Sequence, residues 1–285
     1  MLERKYTAKP EECLYHYCSA ETFLAICTGK KIRFSDINSM NDSQELQWGY
    51  KVWEDAATEL HKLVGVDFLD DIDDIIHASS ARGLGLASCF SKTGDVLSQW
   101  RAYAADGQGY AIGFDSEVLT NMASLPLEIL YNREKQLEEV KNAILAIYKV
   151  QESQNHSRDD GFSYACFRLY ADLVALKNPA FYEENEVRLL HLLNTEISNN
   201  SLKLTDSGGT AFEKELPPSE ITFFMRDNCP VPYIDLSFSN EKFKAPIKEV
   251  ILGPKNPALP LGISIFLETV GLPSVVVKKS KASYR

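Results

Sequence analysis

The chain has 285 residues, 45% hydrophobic and 25% charged, so it can bury a sizeable core and has the composition of a globular protein. Its formal net charge of -10 repels phosphate backbones and argues against non-specific nucleic-acid binding through overall charge. The six cysteines form no C-x-x-C pair, which is typical of free thiols in a reducing compartment. Because the N-terminus lacks an apolar leader and no apolar run has the length of a membrane span, we expect a cytoplasmic protein without membrane contact.

The apolar pattern of the first half predicts short strands alternating with helices. Strands are predicted over residues 14–17, 32–34, 84–90, 110–114 and 127–131, and helices over residues 45–63, 67–80 and 96–103. A further helix is predicted between Ser19, a suitable N-cap, and Gly29, a suitable end. Asn41-Asp42 is predicted to form a turn.

The clearest amphipathic helix follows residue 132, where Leu137, Val140, Ile144 and Ile147 recur at helical spacing. The remaining predictions are a helix over residues 164–176, a strand over 184–193, a polar excursion over 194–218, strands over 234–236 and 250–252, a helix over 261–270 and a strand over 274–278. Since strands and helices mix without a regular β-α-β rhythm, the sequence predicts a single α+β domain over residues 1–285. We expect a central, mostly antiparallel mixed sheet flanked by helices, with a helical insertion near 132–177.

Two features imitate ligand-binding motifs. Gly107 and Gly109 precede a predicted strand, whereas a dinucleotide loop places its glycines at a helix N-terminus, so we interpret them as a turn. The acidic run from Asp67 to Asp74 lacks the glycine and the terminal glutamate of a calcium loop, so we interpret it as a solvated helix face. We therefore predict no metal site, and nothing local supports a Cys/His nucleophile.

The segment that begins at Glu184 is the strongest functional candidate. On a strand, Glu184, Glu186 and Arg188 share one face because side chains alternate. Two carboxylates about 7 Å apart on a strand can lie in different environments and so differ in pKa and in role. The competing interpretation is an outer face with a cross-strand salt bridge.

Trp100 and Tyr103 lie on a short predicted helix beside a glycine turn. Aromatic planes at the edge of a cleft can stack on a nicotinamide or a base. Packing in the core is the alternative explanation for both residues.

Several short motifs occur in an order that resembles a bacterial family catalogued as domain of unknown function 2971, some of whose members lie near phage-defence genes. The motifs are Leu14-Tyr15-His16-Tyr17, Ile32-x-Phe34-Ser35, Asn41-Asp42, Cys89-Phe90-Ser91, Trp100-x-x-Tyr103, Gly109-x-x-x-Gly113-Phe114, Phe181-x-x-Glu184-x-Glu186-x-Arg188 and Ile251-Leu252-Gly253-Pro254. The resemblance extends over nearly the whole chain. It departs from the family at Ser43-Gln44, where the family usually has proline and an aromatic residue.

The opening of the chain is also similar, more distantly, to nucleic-acid-directed ADP-ribosyltransferases. The similar residues are Tyr15-His16-Tyr17, Phe23-Leu24-x-Ile26 and Gly29. In that superfamily a His or Arg of the first strand, a Ser or Tyr of a central strand and a late Glu, often within E-x-E, surround NAD. The matching positions here are His16, Ser91 or Tyr103, and Glu186 with Glu184. The similarity implies an ADP-ribosyltransferase-like fold.

The implied function is cleavage of NAD and transfer of ADP-ribose to an unknown acceptor, a protein or a nucleic acid, by a toxin or phage-defence effector. Glu186 would stabilise the developing ribose cation, and Glu184 would orient or deprotonate the acceptor. Arg188 would either bind the pyrophosphate or hold Glu186. The implied NAD-binding residues are Tyr15, His16, Tyr17, Asn41, Ser91, Trp100, Tyr103 and Arg188. The alternatives are a non-enzymatic nucleotide-binding or phage-sensing module that uses the same cleft, and a nuclease that uses the carboxylates with a divalent ion.

Overall fold

The computed structural model describes residues 4–39, 45–82 and 85–284. The strands are β1 (Cys13–Cys18), β2 (Lys31–Asp36), β3 (Gly85–Ser91), β4 (Tyr110–Asp115), β5 (Leu125–Glu128), β6 (Glu186–Leu192), β7 (Asn194–Ser198), β8 (Ser201–Thr205), β9 (Gly209–Ala211), β10 (Lys214–Leu216), β11 (Thr222–Arg226), β12 (Cys229–Ser237), β13 (Ile247–Leu252) and β14 (Val276–Lys279). The α-helices are α1 (Ala20–Gly29), α2 (Glu45–Val64), α3 (Val66–Arg82), α4 (Leu97–Tyr103), α5 (Ser116–Thr120), α6 (Arg133–Ser153), α7 (Asp160–Val174) and α8 (Pro260–Thr269). Short 3-10 turns span Ile37–Ser39, Ala105–Gly107 and Pro179–Glu184.

Within the described residues, ten strands form one sheet in the order β11-β12-β2-β3-β1-β4-β13-β14, and β6 and β5 extend it from β3. Neighbouring strands of this sheet are antiparallel, apart from the parallel pair β13 and β14. This arrangement confirms the predicted mixed α/β class and the mostly antiparallel sheet. The segment expected as a polar excursion instead contains two hairpins, β7–β8 and β9–β10.

Strand β3 contacts three other strands, and this splits the sheet. On one edge β6 pairs along its whole length, from Gly85 opposite Leu192 to Ser91 opposite Glu186. The other edge is shared, because β2 pairs with Leu86 and Ala87 whereas β1 pairs with Ser91. Strands β1 and β2 therefore diverge along β3 and leave a gap beside residues 88–90.

Helices cover both faces of the sheet. On one face, α1, α5 and α8 pack against a core that includes Phe34, Phe90 and Ile112. On the other face, α2, α3, α6 and α7 pack around Ala87 and Leu190. Because strand side chains alternate, β3 contributes Phe90 to one core and Ala87 to the other. The region predicted as a helical insertion near 132–177 contains α6 and α7.

Local signals explain where the helices begin and end. The Ser19 hydroxyl accepts the backbone N–H of Thr22 at 3.3 Å and caps α1, as predicted. Gly29 is the last residue of α1, and Lys30 takes the left-handed conformation, with φ at 50°, that ends it. Val140, Ile144 and Ile147 form the buried face of α6.

Among the residues that the structure describes, no helix combines the length and the apolar character needed to cross a bilayer. The cysteines in this part of the chain are free thiols.

Candidate functional site

A cleft of about 470 Å³ opens at the split in the sheet, within the size range of small-molecule sites. Its walls come from β1, α1, β2, β3, α4, the segment before β6 with the first residue of β6, and β11. The lining residues are Tyr15, His16, Tyr17, Thr22, Arg33, Ser35, Ala87, Ser88, Cys89, Phe90, Ser91, Gln99, Tyr103, Lys177, Glu184, Glu186 and Arg226. Residues 87–91 of β3 all line the cleft, although the side chains of consecutive strand residues point to opposite faces of the sheet. The cleft therefore enters the gap between β1 and β2.

Glu186 is the first residue of β6 and is only 4% exposed. Its Oε1 accepts Arg188 Nε at 2.8 Å, and its Oε2 accepts Lys177 Nζ at 3.1 Å. The backbone N–H of Glu186 donates to the Tyr131 hydroxyl at 3.0 Å. The carboxylate is therefore fixed through both oxygens, each of which retains acceptor capacity.

Glu184 does not lie on the strand, and the prediction that it shares a strand face with Glu186 and Arg188 is wrong. It ends the 3-10 turn Pro179–Glu184, which the Asn178 side chain caps. Asn185 then takes the left-handed conformation, with φ at 45°, so β6 begins only at Glu186. The turn still brings the Glu184 carboxylate to Lys177 Nζ and, at 2.8 Å, to the hydroxyl of Tyr103.

The pKa values of the two carboxylates shift in opposite directions. Burial raises the pKa of Glu184, and the charge of Glu186 adds to this against the attraction of Lys177. Burial also acts upward on Glu186, but the charges of Arg188 and Lys177 outweigh it and lower the pKa of Glu186 below its ordinary value. Such a pair divides into a permanently charged group and a group that can exchange protons.

Lys177 joins the two carboxylates, and sequence reasoning missed it. Its side chain is 5% exposed, its Nζ lies 5.2 Å from the centroid of the Phe181 ring, and its carbonyl accepts Gln136 Nε2 at 2.7 Å. A lysine directly after the apolar end of a helix has no periodic signature. The signal that could have identified Lys177 is a single charged residue between an apolar stretch and Asn178-Pro179.

Strand β1 forms the opposite wall. His16 Nδ1 lies 3.0 Å from the carbonyl oxygen of Cys89, and burial lowers the pKa of His16. A neutral imidazole that donates from Nδ1 keeps Nε2 as an acceptor. Tyr17 donates to the carbonyl of Thr93 at 2.9 Å, and Tyr15 donates to Glu249 Oε1 at 2.7 Å. These hydrogen bonds orient the three aromatic side chains at the cleft.

Ser91 of β3 lies opposite Glu186 on one side and Tyr15 on the other. It is 3% exposed, and its hydroxyl accepts the backbone N–H of Thr93 at 3.1 Å. Ser91 therefore joins the residues that the sequence placed around a ligand: Tyr15, His16, Tyr17, Tyr103, Glu184 and Glu186 line the same cleft.

Two predicted ligand contacts need correction, because neither side chain lines the cleft. Trp100 is fully buried, donates to Asp95 Oδ1 at 2.7 Å and packs edge-on against Tyr17, so it belongs to the core. Arg188 is 1% exposed and donates to Glu186 and, at 3.0 Å, to the carbonyl of Val174. Of its two predicted roles, the structure fits the one in which it holds Glu186. Asn41 lies outside the described residues.

The acidic run that includes Asp73 lies on α3, where Asp73 accepts the Tyr50 hydroxyl and the Trp53 Nε1 proton, each at 2.9 Å. In the part of the chain that the structure describes, no group of three or more His, Cys, Asp or Glu side chains could hold a metal ion.

The fold and the cleft define a mixed α/β protein whose largely antiparallel sheet splits around a buried cluster of two carboxylates and two cations. Residues 99–189 match the model of the family described as Protein of unknown function (DUF2971), which confirms the family resemblance over that segment. The match covers about a third of the chain, less than the motifs implied, and it includes Tyr103, Lys177, Glu184 and Glu186. No curated protein and no solved structure matches the chain.

Proposed function

We propose that this chain is an ADP-ribosyltransferase-like enzyme that cleaves NAD and transfers ADP-ribose to an acceptor. The observation that carries the proposal is the convergence of Glu186, Tyr103 and His16 on one cleft. The resemblance to ADP-ribosyltransferases requires these three side chains to meet, although they come from different strands and helices. Had they occupied separate surfaces, the proposal would have no site.

In the proposed reaction, the bond between ribose C1′ and the nicotinamide nitrogen breaks. The nitrogen keeps the electron pair, so neutral nicotinamide leaves and positive charge develops on the ribose. Glu186, with its lowered pKa, is ionised and fixed by Arg188 and Lys177. A carboxylate fixed beside that charge stabilises the transition state more than the ground state.

The acceptor then forms a new bond to C1′ and loses a proton. The proton passes to Glu184, whose raised pKa makes it a better base than an ordinary surface glutamate. Tyr103, which donates to Glu184, would stack on the nicotinamide. His16 and Ser91 would hydrogen-bond the ribose hydroxyls and the carboxamide.

A second candidate is a nucleotide-binding module without turnover. This module is favoured by the two charge-assisted hydrogen bonds that Glu186 accepts from Lys177 and Arg188. These cations compensate much of the carboxylate charge that the transferase reaction would use. Titration calorimetry with NAD and an assay for released nicotinamide separate the two functions. We expect both binding and nicotinamide release, in the presence of a mixture of protein and nucleic-acid acceptors. Binding without release would favour the module, and the absence of NAD binding would refute the transferase.

A further inference from the structure

The cleft has a basic end that the proposed chemistry does not use. Arg33 of β2 and Arg226 of β11 line it on the far side of β3 from Glu186. Strands β6, β3 and β2 are successive neighbours, so the strand that carries Arg33 lies two strand spacings, about 10 Å, from the strand that carries Glu186. A ligand that spans the cleft would therefore meet carboxylates at one end and guanidinium groups at the other.

Arg33 is held in a fixed orientation. Its Nε and Nη2 donate to Asp235 Oδ1 and Oδ2 at 3.0 and 3.1 Å, and its guanidinium carbon lies 3.7 Å from the centroid of the Tyr233 ring. Asp235 uses two of the five N–H donors of the guanidinium group, and the side chain is 48% exposed. A rigid planar fork with remaining donors suits an oxyanion such as phosphate.

Arg226 lines the cleft on the same side of β3 as Arg33 and lies at a tight hairpin. It is the last residue of β11, and Asp227 and Asn228 follow with φ values of 48° and 64° before β12 begins. Positive φ at both central residues is characteristic of a two-residue hairpin turn. The hairpin thus fixes the backbone that carries a second arginine beside β12, the strand that also carries the partner of Arg33.

We propose that Arg33 and Arg226 form an anion subsite for the diphosphate of a nucleotide ligand. The identity of the nucleotide rests on the proposed function, whereas the preference for a diphosphate does not. The subsite takes the pyrophosphate-binding role that the sequence suggested for Arg188, which in the structure pairs with Glu186. It also orients the ligand, with the nicotinamide ribose at Glu186 and the diphosphate at the arginines.

The test is titration calorimetry of the full chain with ADP-ribose and with inorganic pyrophosphate at low salt. We expect Arg33→Gln and Arg226→Gln each to weaken the binding of both ligands about 10- to 100-fold, as for loss of a charge-assisted hydrogen bond. The matched control is Arg168→Gln on α7, where the guanidinium lies 5.8 Å from the Tyr164 ring centroid and away from the cleft. It should bind as the wild type does, and thermal unfolding should show that all three variants are folded.

The subsite and the proposed function fail in different ways. If the arginine variants lose ADP-ribose and pyrophosphate binding but the wild type never releases nicotinamide, the subsite stands and the transferase does not. If the double variant Arg33→Gln/Arg226→Gln binds both ligands as tightly as the wild type, the subsite is wrong, whatever the enzyme does with NAD. Lack of pyrophosphate and ADP-ribose binding by the wild type would also overturn it.

Discussion

Replacing Lys177 with Met removes the ammonium group that both carboxylates of the cleft contact. In the wild type, Lys177 pairs with both Glu184 and Glu186, and Arg188 pairs with Glu186. All four side chains are at most 12% exposed, so solvent screens their charges weakly. Breaking a buried ion pair from one side costs about 3–5 kcal/mol, and we expect Lys177→Met to lose that much unfolding free energy near pH 8.

The loss should depend on pH because Glu184 can relieve the imbalance by taking a proton. Burial already raises the pKa of Glu184, and removal of Lys177, whose charge lowers it, raises it further. A group whose folded pKa lies above its unfolded pKa stabilises the fold below the unfolded value, about 4.3 for Glu, and this is lost as pH rises through the folded value. The variant should therefore lie closer to the wild type at pH 5 than at pH 8.

Urea unfolding followed by tryptophan fluorescence at both pH values measures these differences. The double variant Lys177→Met/Glu184→Gln removes the uncompensated charge and should regain much of the loss at pH 8. The control is Lys203→Met on β8, whose partner Glu196 lies 3.4 Å away with both side chains more than half exposed, and it should change stability by about 0.5 kcal/mol or less. Equal losses for Lys177→Met at both pH values, together with no rescue by Glu184→Gln, would refute the charge balance.

Two further changes test the frame around the cleft. A Cβ at Gly109 would lie 2.1 Å from the carbonyl oxygen of Cys18, whereas one at Gly29 meets nothing within 4 Å. Gly109→Ala should therefore cost about 2 kcal/mol or more and Gly29→Ala about 0.5 kcal/mol or less, and similar melting temperatures for the two would contradict this packing. Asp206 accepts the Ser219 N–H at 2.6 Å and lies 2.9 Å from His191 Nε2, and although its burial acts upward, these bonds lower its pKa. A carboxyl group whose pKa is lower in the folded state than in the unfolded state stabilises the fold at pH values above its unfolded pKa, and this stabilisation is lost as the pH falls. Asp206→Asn should therefore lose more stability at pH 6 than at pH 3, as measured by urea unfolding.

Features that depend on local spacing could be predicted from the sequence. The apolar repeat of α6, the Ser19 cap and the Gly29 end of α1 all appear where the pattern placed them. Glu186 and Arg188 lie two residues apart on a strand, and they do share a face and form an ion pair.

The rest of the site depends on single backbone conformations and on distant pairings. The left-handed Asn185 removes Glu184 from the strand, and an alternating pattern of residue types carries no signal for one such residue. Lys177 becomes part of the site only because α7 ends beside β6. Arg33 alternates outward on an ordinary strand, and its place in the cleft follows from β3 having three neighbours.

Nicotinamide release measures whether the carboxylate of Glu186 stabilises charge during the proposed cleavage of NAD. Glu186→Gln keeps the shape of the side chain and removes its charge. Glu183→Gln makes the same change three residues earlier at an exposed glutamate that accepts the Ser98 hydroxyl at 3.0 Å. With folding of both variants checked by thermal unfolding, we predict that Glu186→Gln slows nicotinamide release about 100-fold or more and that Glu183→Gln leaves it unchanged. Wild-type rates in folded Glu186→Gln would mean that the charge of Glu186 takes no part in the cleavage.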